Sequence, residues 1–285
     1  MAKRKQNAEC SGSDDDGDET RSLVDVDFEF FDPNPDIDYL ALKRLLTQLF
    51  QADAQLLHLE DLADLILSQP LVGTTVKCDG RESDPYAFLT VLNLHVHQNH
   101  PSIKALIAYA LEKSSPDTSL HTTLQGLLGP HGLTSENHVG FIFSERLINM
   151  PVQIVPHMYR MLTDEIQWAL DDKEPYNFSH FLVISRVYKL SAEEAAELQA
   201  ATPRTKRQKQ VLVSASSGGG VFPFHPEDDC IRKFASHAID YTFSHAQPRE
   251  EEAFGLDTGG RMMLIPAARL RELAAALADT FPQPS

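Results

Sequence analysis

The sequence predicts an α/β or α+β protein in which a β-sheet is covered by helices. Segments with apolar residues at every second position alternate with segments whose apolar residues recur every three or four positions. Several predicted strands follow one another directly, around 73–97 and 138–156. Together with the predicted helices, they favour a sheet that helices cover. With 285 residues, 42% of them hydrophobic, the chain is long enough to bury a substantial core.

The first predicted strand, residues 23–31, combines an apolar face with an acidic one. Its apolar side chains alternate along the chain: Val24, Val26, Phe28 and Phe30. The same alternation places Asp25, Asp27 and Glu29 on the opposite side, and we call these three residues the acidic comb. The comb has two interpretations. It either protects an edge strand from pairing with other chains, or it docks a cationic partner.

Helix and strand signals continue to the C-terminus. The DPNP sequence ends the first strand, and Asn34 with Pro35 supplies an N-cap and a first helical residue. Apolar spacing predicts helices over 36–51, 58–68, 101–113, 117–127, 157–171, 228–243 and 267–281. Alternating or continuous apolar runs predict further strands over 73–78, 86–97, 138–145, 147–156, 180–190 and 261–266.

We expect one folded domain over about 22–285, with two irregular segments. Residues 1–21 are polar and acidic, including Asp14–Asp18, and cannot bury enough surface to fold. A flexible loop at about 192–220 contains a basic run and a Ser- and Gly-rich stretch. In this loop Lys206, Arg207 and Lys209 are either a nuclear localisation signal or an ordinary solvated loop.

The charge of the chain restricts its partners. Its 41 acidic and 25 basic residues give a formal net charge of −16, which disfavours direct DNA binding and binding to anionic membranes. No apolar run approaches the length that spans a bilayer. Three cysteines without a CxxC pair suit the cytosol or nucleus. Basic proteins are therefore the favoured partners. For such a partner we predict contacts with the acidic comb and with a second cluster, Asp171, Asp172 and Glu174.

Motifs for catalysis or cofactor binding are not found in the sequence. It contains no GxxxxGK[ST], GxGxxG or GxSxG. His95 and His97 would share one face of a strand, but no acidic or cysteine ligand lies nearby in sequence. Cys230 follows three carboxylates, which disfavour a reactive thiolate. We therefore predict no catalytic, cofactor or metal site.

Two segments carry a specific family resemblance. VDVDFEFFDPNPDIDY at the start and FIFSERLINMPVQIVPHMYRML at 141–162 resemble the BCCIP family, including its fungal members, and the likeness continues from about residue 22 to the C-terminus. The resemblance implies a fold similar to the GNAT acetyltransferases, with a mixed sheet flanked by helices. It also implies an acidic protein that shuttles between nucleus and cytoplasm.

The resemblance further implies a chaperone for a basic ribosomal protein of the large subunit, universal L fourteen, and a link to nuclear export of a phosphoinositide kinase. A GNAT enzyme binds the acetyl-CoA pyrophosphate through a glycine-containing loop after a central strand. If 147–156 is that strand, the loop is Val155–Arg160, which has no glycine and contains Pro156, a residue without an N–H donor. We therefore predict no functional acetyl-CoA loop and a protein that is not an enzyme.

The predicted function is a chaperone and nucleocytoplasmic transport adaptor that covers the basic surface of its client. The first alternative is a cryptic GNAT-type acyltransferase with an unusual cofactor loop. The second is a scaffold for export of a phosphoinositide kinase. In that case Leu270, Leu273 and Leu277 would form a leucine-rich export signal, although a packed amphipathic helix has the same spacing.

Overall fold

The computed structural model describes residues 27–69, 71–190, 220–246 and 257–282. Asp25, the tail at 1–21 and the basic run with Lys206, Arg207 and Lys209 lie outside these ranges. The helices are α1 Pro35–Phe50, α2 Leu59–Leu67, α3 Pro101–Ser114, α4 Thr118–Leu128, α5 Val155–Asp171, α6 Glu227–Arg232 and α7 Leu270–Thr280. The strands are β1 Glu29–Phe31, β2 Thr74–Lys77, β3 Ala87–Asn93, β4 His138–Arg146, β5 Phe178–Lys189, β6 Val221–Pro223, β7 His237–Thr242 and β8 Asp257–Pro266.

All strands of the described residues join one mixed sheet. Their order is β1-β2-β3-β4-β5-β8-β7, and β6 pairs with the far end of β5. Every pairing is antiparallel except β4 with β5, which are parallel and connected through α5. The predicted fold class, a mixed sheet flanked by helices, is confirmed.

Helices cover both faces of this sheet. Helices α1 to α4 pack on one face, where Leu46, Leu62 and Leu106 contact sheet residues such as Phe141. Helices α5, α6 and α7 pack on the other face, where Leu162 and other apolar residues meet the sheet. Side chains of a strand point alternately to opposite faces, and a strand between two helical layers is therefore buried throughout, as β3 is.

The start of α1 is the one predicted from the sequence. The side chain of Asn34 accepts a hydrogen bond from the N–H of Asp36 at 3.0 Å, and Pro35 is the first helical residue. The strand before it is shorter than predicted: among the described residues only Glu29–Phe31 pair with β2. This strand lies at the edge of the sheet.

The predicted strand at 147–156 is wrong. Residues after β4 form a turn and a short 3-10 helix, Val152–Ile154, and α5 begins at Val155. The apolar run resembles a strand in sequence, but Pro151 cannot donate a hydrogen bond to a neighbouring strand. The segment Val155–Arg160 is consequently the first turns of a helix, and the connection between β4 and α5 is 147–154.

Two other predicted elements end early. The strand at 86–97 stops at Asn93, where the Asn93 side chain accepts hydrogen bonds from the N–H groups of His95 and Val96 at 3.0 and 3.2 Å. His95 and His97 therefore lie in a turn and not on a strand. The helix predicted over 228–243 ends at Arg232 because the later residues, as β7, pair with β8.

Candidate functional site

The exposed side of helix α5 combines acidic residues with the protein's only tryptophan. Asp164, Trp168, Asp171 and Asp172 are all exposed, and we call these four residues the α5 acidic face. Their spacing of three and four residues places them on one side of the helix. The buried side of the same helix uses other residues, Met158, Leu162, Ile166 and Ala169. Trp168 keeps 64% of its surface exposed.

More carboxylates lie around this face. Glu174 is exposed just after the helix. Glu165 is buried and accepts hydrogen bonds from the backbone N–H of Gly73 at 2.9 Å and the hydroxyl of Thr74 at 3.1 Å. Burial raises the pKa of Glu165, and the charges of Asp32 and Asp164 raise it further. Asp32, from the loop before α1, therefore contributes to the negative potential beside the α5 acidic face.

The acidic comb lies elsewhere on the molecule. Asp27 and Glu29 are exposed, and Asp25 lies outside the described residues. Strand β1 contacts the first turn of α5, where the rings of Phe30 and His157 are 4.4 Å apart between centroids. Asp171, at the other end of this helix, lies about 20 Å further along its axis at about 1.5 Å per residue. The two predicted acidic clusters are thus separate surfaces.

A buried ionic network fills the space where β4 and β5 separate. The two strands pair as far as Ile142 and Val183, and β6 then takes the place of β4 beside β5. The carboxylate of Glu145 accepts hydrogen bonds from Arg186 Nε at 2.9 Å and His225 Nε2 at 2.5 Å. The neighbouring Arg146 forms a two-point pair with Glu227, at 2.8 and 2.9 Å. This network joins the ends of three strands and α6.

The pKa values of two buried acids in this region are shifted in opposite directions. Burial alone would raise the pKa of Glu145, but the hydrogen bond from His225 and the guanidinium of Arg186 outweigh it, lowering the pKa to about 2. Burial raises the pKa of Asp228 to about 7, and the adjacent charge of Glu227 adds to the effect. The Glu145 carboxyl group is therefore ionised at neutral pH, whereas that of Asp228 is about half protonated.

The connection from β4 to α5 is poorly suited to hold a phosphate group. A backbone anion site needs free N–H groups at a helix N-terminus, with glycine where the chain must approach closely. Residues 147–160 contain no glycine, and prolines stand at 151 and 156. In the described part of the chain, moreover, no three metal-ligating side chains converge.

Comparison with known proteins identifies the family. The sequence matches the BCCIP family over residues 23–231. The chain belongs to the BCCIP family. It is 43% identical over 302 aligned positions to Protein bcp1 of Aspergillus fumigatus, covering all of both chains. It is 42% identical to Protein bcp1 of Schizosaccharomyces pombe, covering 91% of each chain. The crystal structure of BCP1 from Saccharomyces cerevisiae is similar, with a TM-score of 0.61 and 25% identity over 93% of each chain.

Of the two predicted localisation motifs in this BCCIP-family chain, the structure describes only the leucine-rich one. Leu270, Leu273 and Leu277, the leucines of the possible export signal, are buried and pack in the core beneath α7. The described helices include none that is long and apolar enough to cross a bilayer. The basic run in the loop lies outside the described residues, and its role stays a prediction.

Sequence reasoning missed two features of this BCCIP-family chain. Trp168 lies in the helix predicted over 157–171, yet it is off the buried stripe formed by Leu162, Ile166 and Ala169. A helical projection of 155–171 would have shown this position of Trp168 from the sequence. The Glu145 network had no such signal, because Glu145 is 41 residues from Arg186 and 80 residues from His225.

Proposed function

We propose that this protein is a chaperone and nucleocytoplasmic transport adaptor that covers the basic surface of a large-subunit ribosomal protein of the universal L fourteen class. The observation that carries the proposal is the distribution of its charge. The net charge is −16, and the exposed carboxylates include Asp27 and Glu29 of the acidic comb and the three aspartates of the α5 acidic face. Membership of the BCCIP family supports the same assignment.

The mechanism follows from the physical chemistry of a basic client. A ribosomal protein presents cationic surfaces meant for RNA, and these bind other nucleic acids until the ribosome is assembled. A negative surface accelerates encounter with such a client and suppresses other partners. Exposed ion pairs contribute little individually, so stable binding also requires an apolar or aromatic anchor within the contact. Competing RNA then releases the client.

Binding of basic proteins at varied salt concentration tests this proposal. The purified full-length protein is immobilised, exposed to a total ribosomal-protein extract, and the bound proteins are identified. We expect one or a few basic large-subunit proteins, with affinity that falls steeply as salt rises. The proposal is contradicted if no basic protein is retained, or if basic proteins are retained equally at all salt concentrations.

We propose further that the chain is not an acyltransferase. The glycine-free segment 147–160, with prolines at 151 and 156, argues against a backbone cradle for the cofactor pyrophosphate. Calorimetry with acetyl-CoA distinguishes the alternatives, because a cryptic acyltransferase would bind the cofactor with micromolar affinity. No heat of binding is expected from the protein proposed here.

Shuttling between nucleus and cytoplasm belongs to the same proposal. The basic run Pro203–Gln210 is its proposed import signal, since it contains four clustered cations in an otherwise acidic chain. Deleting this run is expected to shift a fluorescently tagged protein from the nucleus to the cytoplasm. An unchanged distribution would show that the run is an ordinary solvated loop and not an import signal. The link to a phosphoinositide kinase rests on the family resemblance, and co-purification of the kinase tests it.

A further inference from the structure

We propose that the α5 acidic face is a docking surface for an arginine-rich segment of the basic client, with the indole of Trp168 as its anchor. The inference rests on the proposed function, because it names the surface that receives the client's cations. The indole is a large aromatic group that the core does not use. It lies off the buried stripe of the helix and keeps 64% of its surface exposed.

The surroundings of this tryptophan determine the occupant. Asp164 precedes it by four residues, and Asp171 and Asp172 follow it by three and four, so three carboxylates stand one helical turn from the indole. In the described ranges none of the three forms an ion pair. Within the described part of the chain Asp171 accepts a side-chain hydrogen bond from Gln167 alone, at 3.0 Å, and Gln167 in turn accepts one from Arg271 at 3.0 Å. An aromatic ring bordered by anions is complementary to a cation.

Arginine fits this surface better than lysine. Tryptophan is the strongest aromatic partner for a cation above its ring. The planar guanidinium can stack on the indole and at the same time donate two parallel hydrogen bonds to one carboxylate. A lysine ammonium is a compact and strongly hydrated charge, and it cannot make both contacts in the same way.

The other exposed apolar residues have different surroundings. Leu40 is 68% exposed but aliphatic, and the carboxylates near it, Glu60 and Asp84, already pair with Lys43 and Arg44. Ile148 is 65% exposed in the connection after β4, and it has no aromatic face to offer a cation. Within the described residues, exposed aromatic surface and unpaired carboxylates therefore coincide at the α5 acidic face.

The first experiment measures the aromatic contribution by calorimetry with the full-length protein and a synthetic arginine-rich peptide. Trp168→Ala is expected to weaken binding by about three- to thirtyfold, the range for a cation above an indole. Trp168→Phe should retain part of the affinity. Ile148→Ala, which removes a comparably exposed apolar residue, should change nothing. Unchanged affinity in Trp168→Ala overturns the proposal, and circular dichroism verifies that each variant is folded.

The second experiment separates this surface from general electrostatics. Asp171→Asn with Asp172→Asn removes two charges from the α5 acidic face. Asp61→Asn with Asp64→Asn removes two exposed charges from α2, on the opposite face of the sheet. The first pair should weaken peptide binding and reduce its salt dependence, and the second pair should have a much smaller effect. Equal losses in both pairs overturn the proposal.

The third experiment uses the fluorescence of the single tryptophan. Arginine-rich peptide is expected to change its emission more than a lysine-rich or an uncharged peptide of equal length. If deleting 203–210 changes the emission without any peptide, this segment of the chain occupies the surface. If Trp168→Ala dissociates a homodimer, a second copy of the chain occupies it. Either result overturns the proposal. Retention of a basic ribosomal protein by Trp168→Ala with full affinity would leave the proposed function intact and remove only this site.

Discussion

Lys77 and Asp38 form an ion pair in which both side chains are fully buried, with 2.6 Å between Nζ and Oδ1. Lys77 also donates to the carbonyl of Arg81 at 2.7 Å. The second carboxylate oxygen of Asp38 accepts from the backbone N–H of Asn34 at 2.8 Å. Because burying either charge alone is costly, the pair and its hydrogen bonds fix the start of α1 against β2.

Removing one partner of this pair should destabilise the fold strongly. Lys77→Met leaves the Asp38 carboxylate buried without its cation, and the expected loss is about 3–5 kcal/mol in the free energy of unfolding. Asp38→Leu combined with Lys77→Met removes both charges and should recover much of that loss. Urea unfolding measures all three proteins. A loss below about 1 kcal/mol for Lys77→Met would show that this pair does not hold α1 in place.

Local signals in the sequence predicted the helices better than the strands. The N-cap at Asn34 and the proline after it specify the start of α1 without help from distant residues. One error falls where pairing with distant residues decides the structure. His237–Thr242 has apolar spacing compatible with a helix, yet it is held as β7 by β8. Propensity is a weak prior that tertiary contacts override.

The sequence indicates only those parts of the candidate site that do not depend on packing between distant elements. The sequence predicts Asp171, Asp172 and Glu174 as contacts for a partner, and the structure places all three in exposed positions at or after the end of α5. Their contact with a partner stays a prediction. The role of Trp168 depends on which helix side faces the sheet, and that orientation is set by packing against α7. The pairing of Arg146 with Glu227 spans 81 residues and leaves no mark in any sequence window.

Titration of Asp228 should reduce stability as the pH rises. Its pKa is about 7 in the folded protein and about 3.9 in an unfolded chain, so the folded state binds its proton more tightly. Stability from this group is therefore complete at low pH and is lost between about pH 4 and 7. Asp228→Asn, which cannot ionise, should be more stable than the parent at pH 8 by about 1–4 kcal/mol.

The same comparison at pH 4 provides the control for Asp228→Asn, since the two proteins should then be about equally stable. The groups that act on this carboxyl come from several elements: Glu227 and His225 around α6, Ser185 on β5 and Arg261 on β8. Asp229→Asn changes the adjacent, partly exposed carboxylate and should not reproduce the gain. A stability difference independent of pH would assign the effect of Asp228→Asn to packing instead.

Leu273 should behave as a core residue and not as part of an export signal. Its side chain is fully buried between α7 and the sheet. Leu273→Ala should lower the free energy of unfolding by about 2–5 kcal/mol, the range for truncating a buried leucine. Glu272→Ala, at an exposed neighbouring position, should change it little. Loss of nuclear export in Leu273→Ala with unchanged stability would restore the export interpretation.

Neutralising the acidic comb should distinguish its two interpretations. Strand β1 is an edge strand, and unprotected edges pair with other chains. We prefer Asp27→Asn with Glu29→Gln to lysine substitutions, because Glu29 is opposite Lys77 in the strand register and like charges there would weaken the pairing. If the comb docks the client, the variant stays monomeric in light scattering, while its client affinity and the salt dependence of binding both fall. If the comb protects the edge, the variant self-associates and the affinity of its monomer is retained. A variant that shows neither change would remove both roles from Asp27 and Glu29, and it would leave client binding to the α5 acidic face.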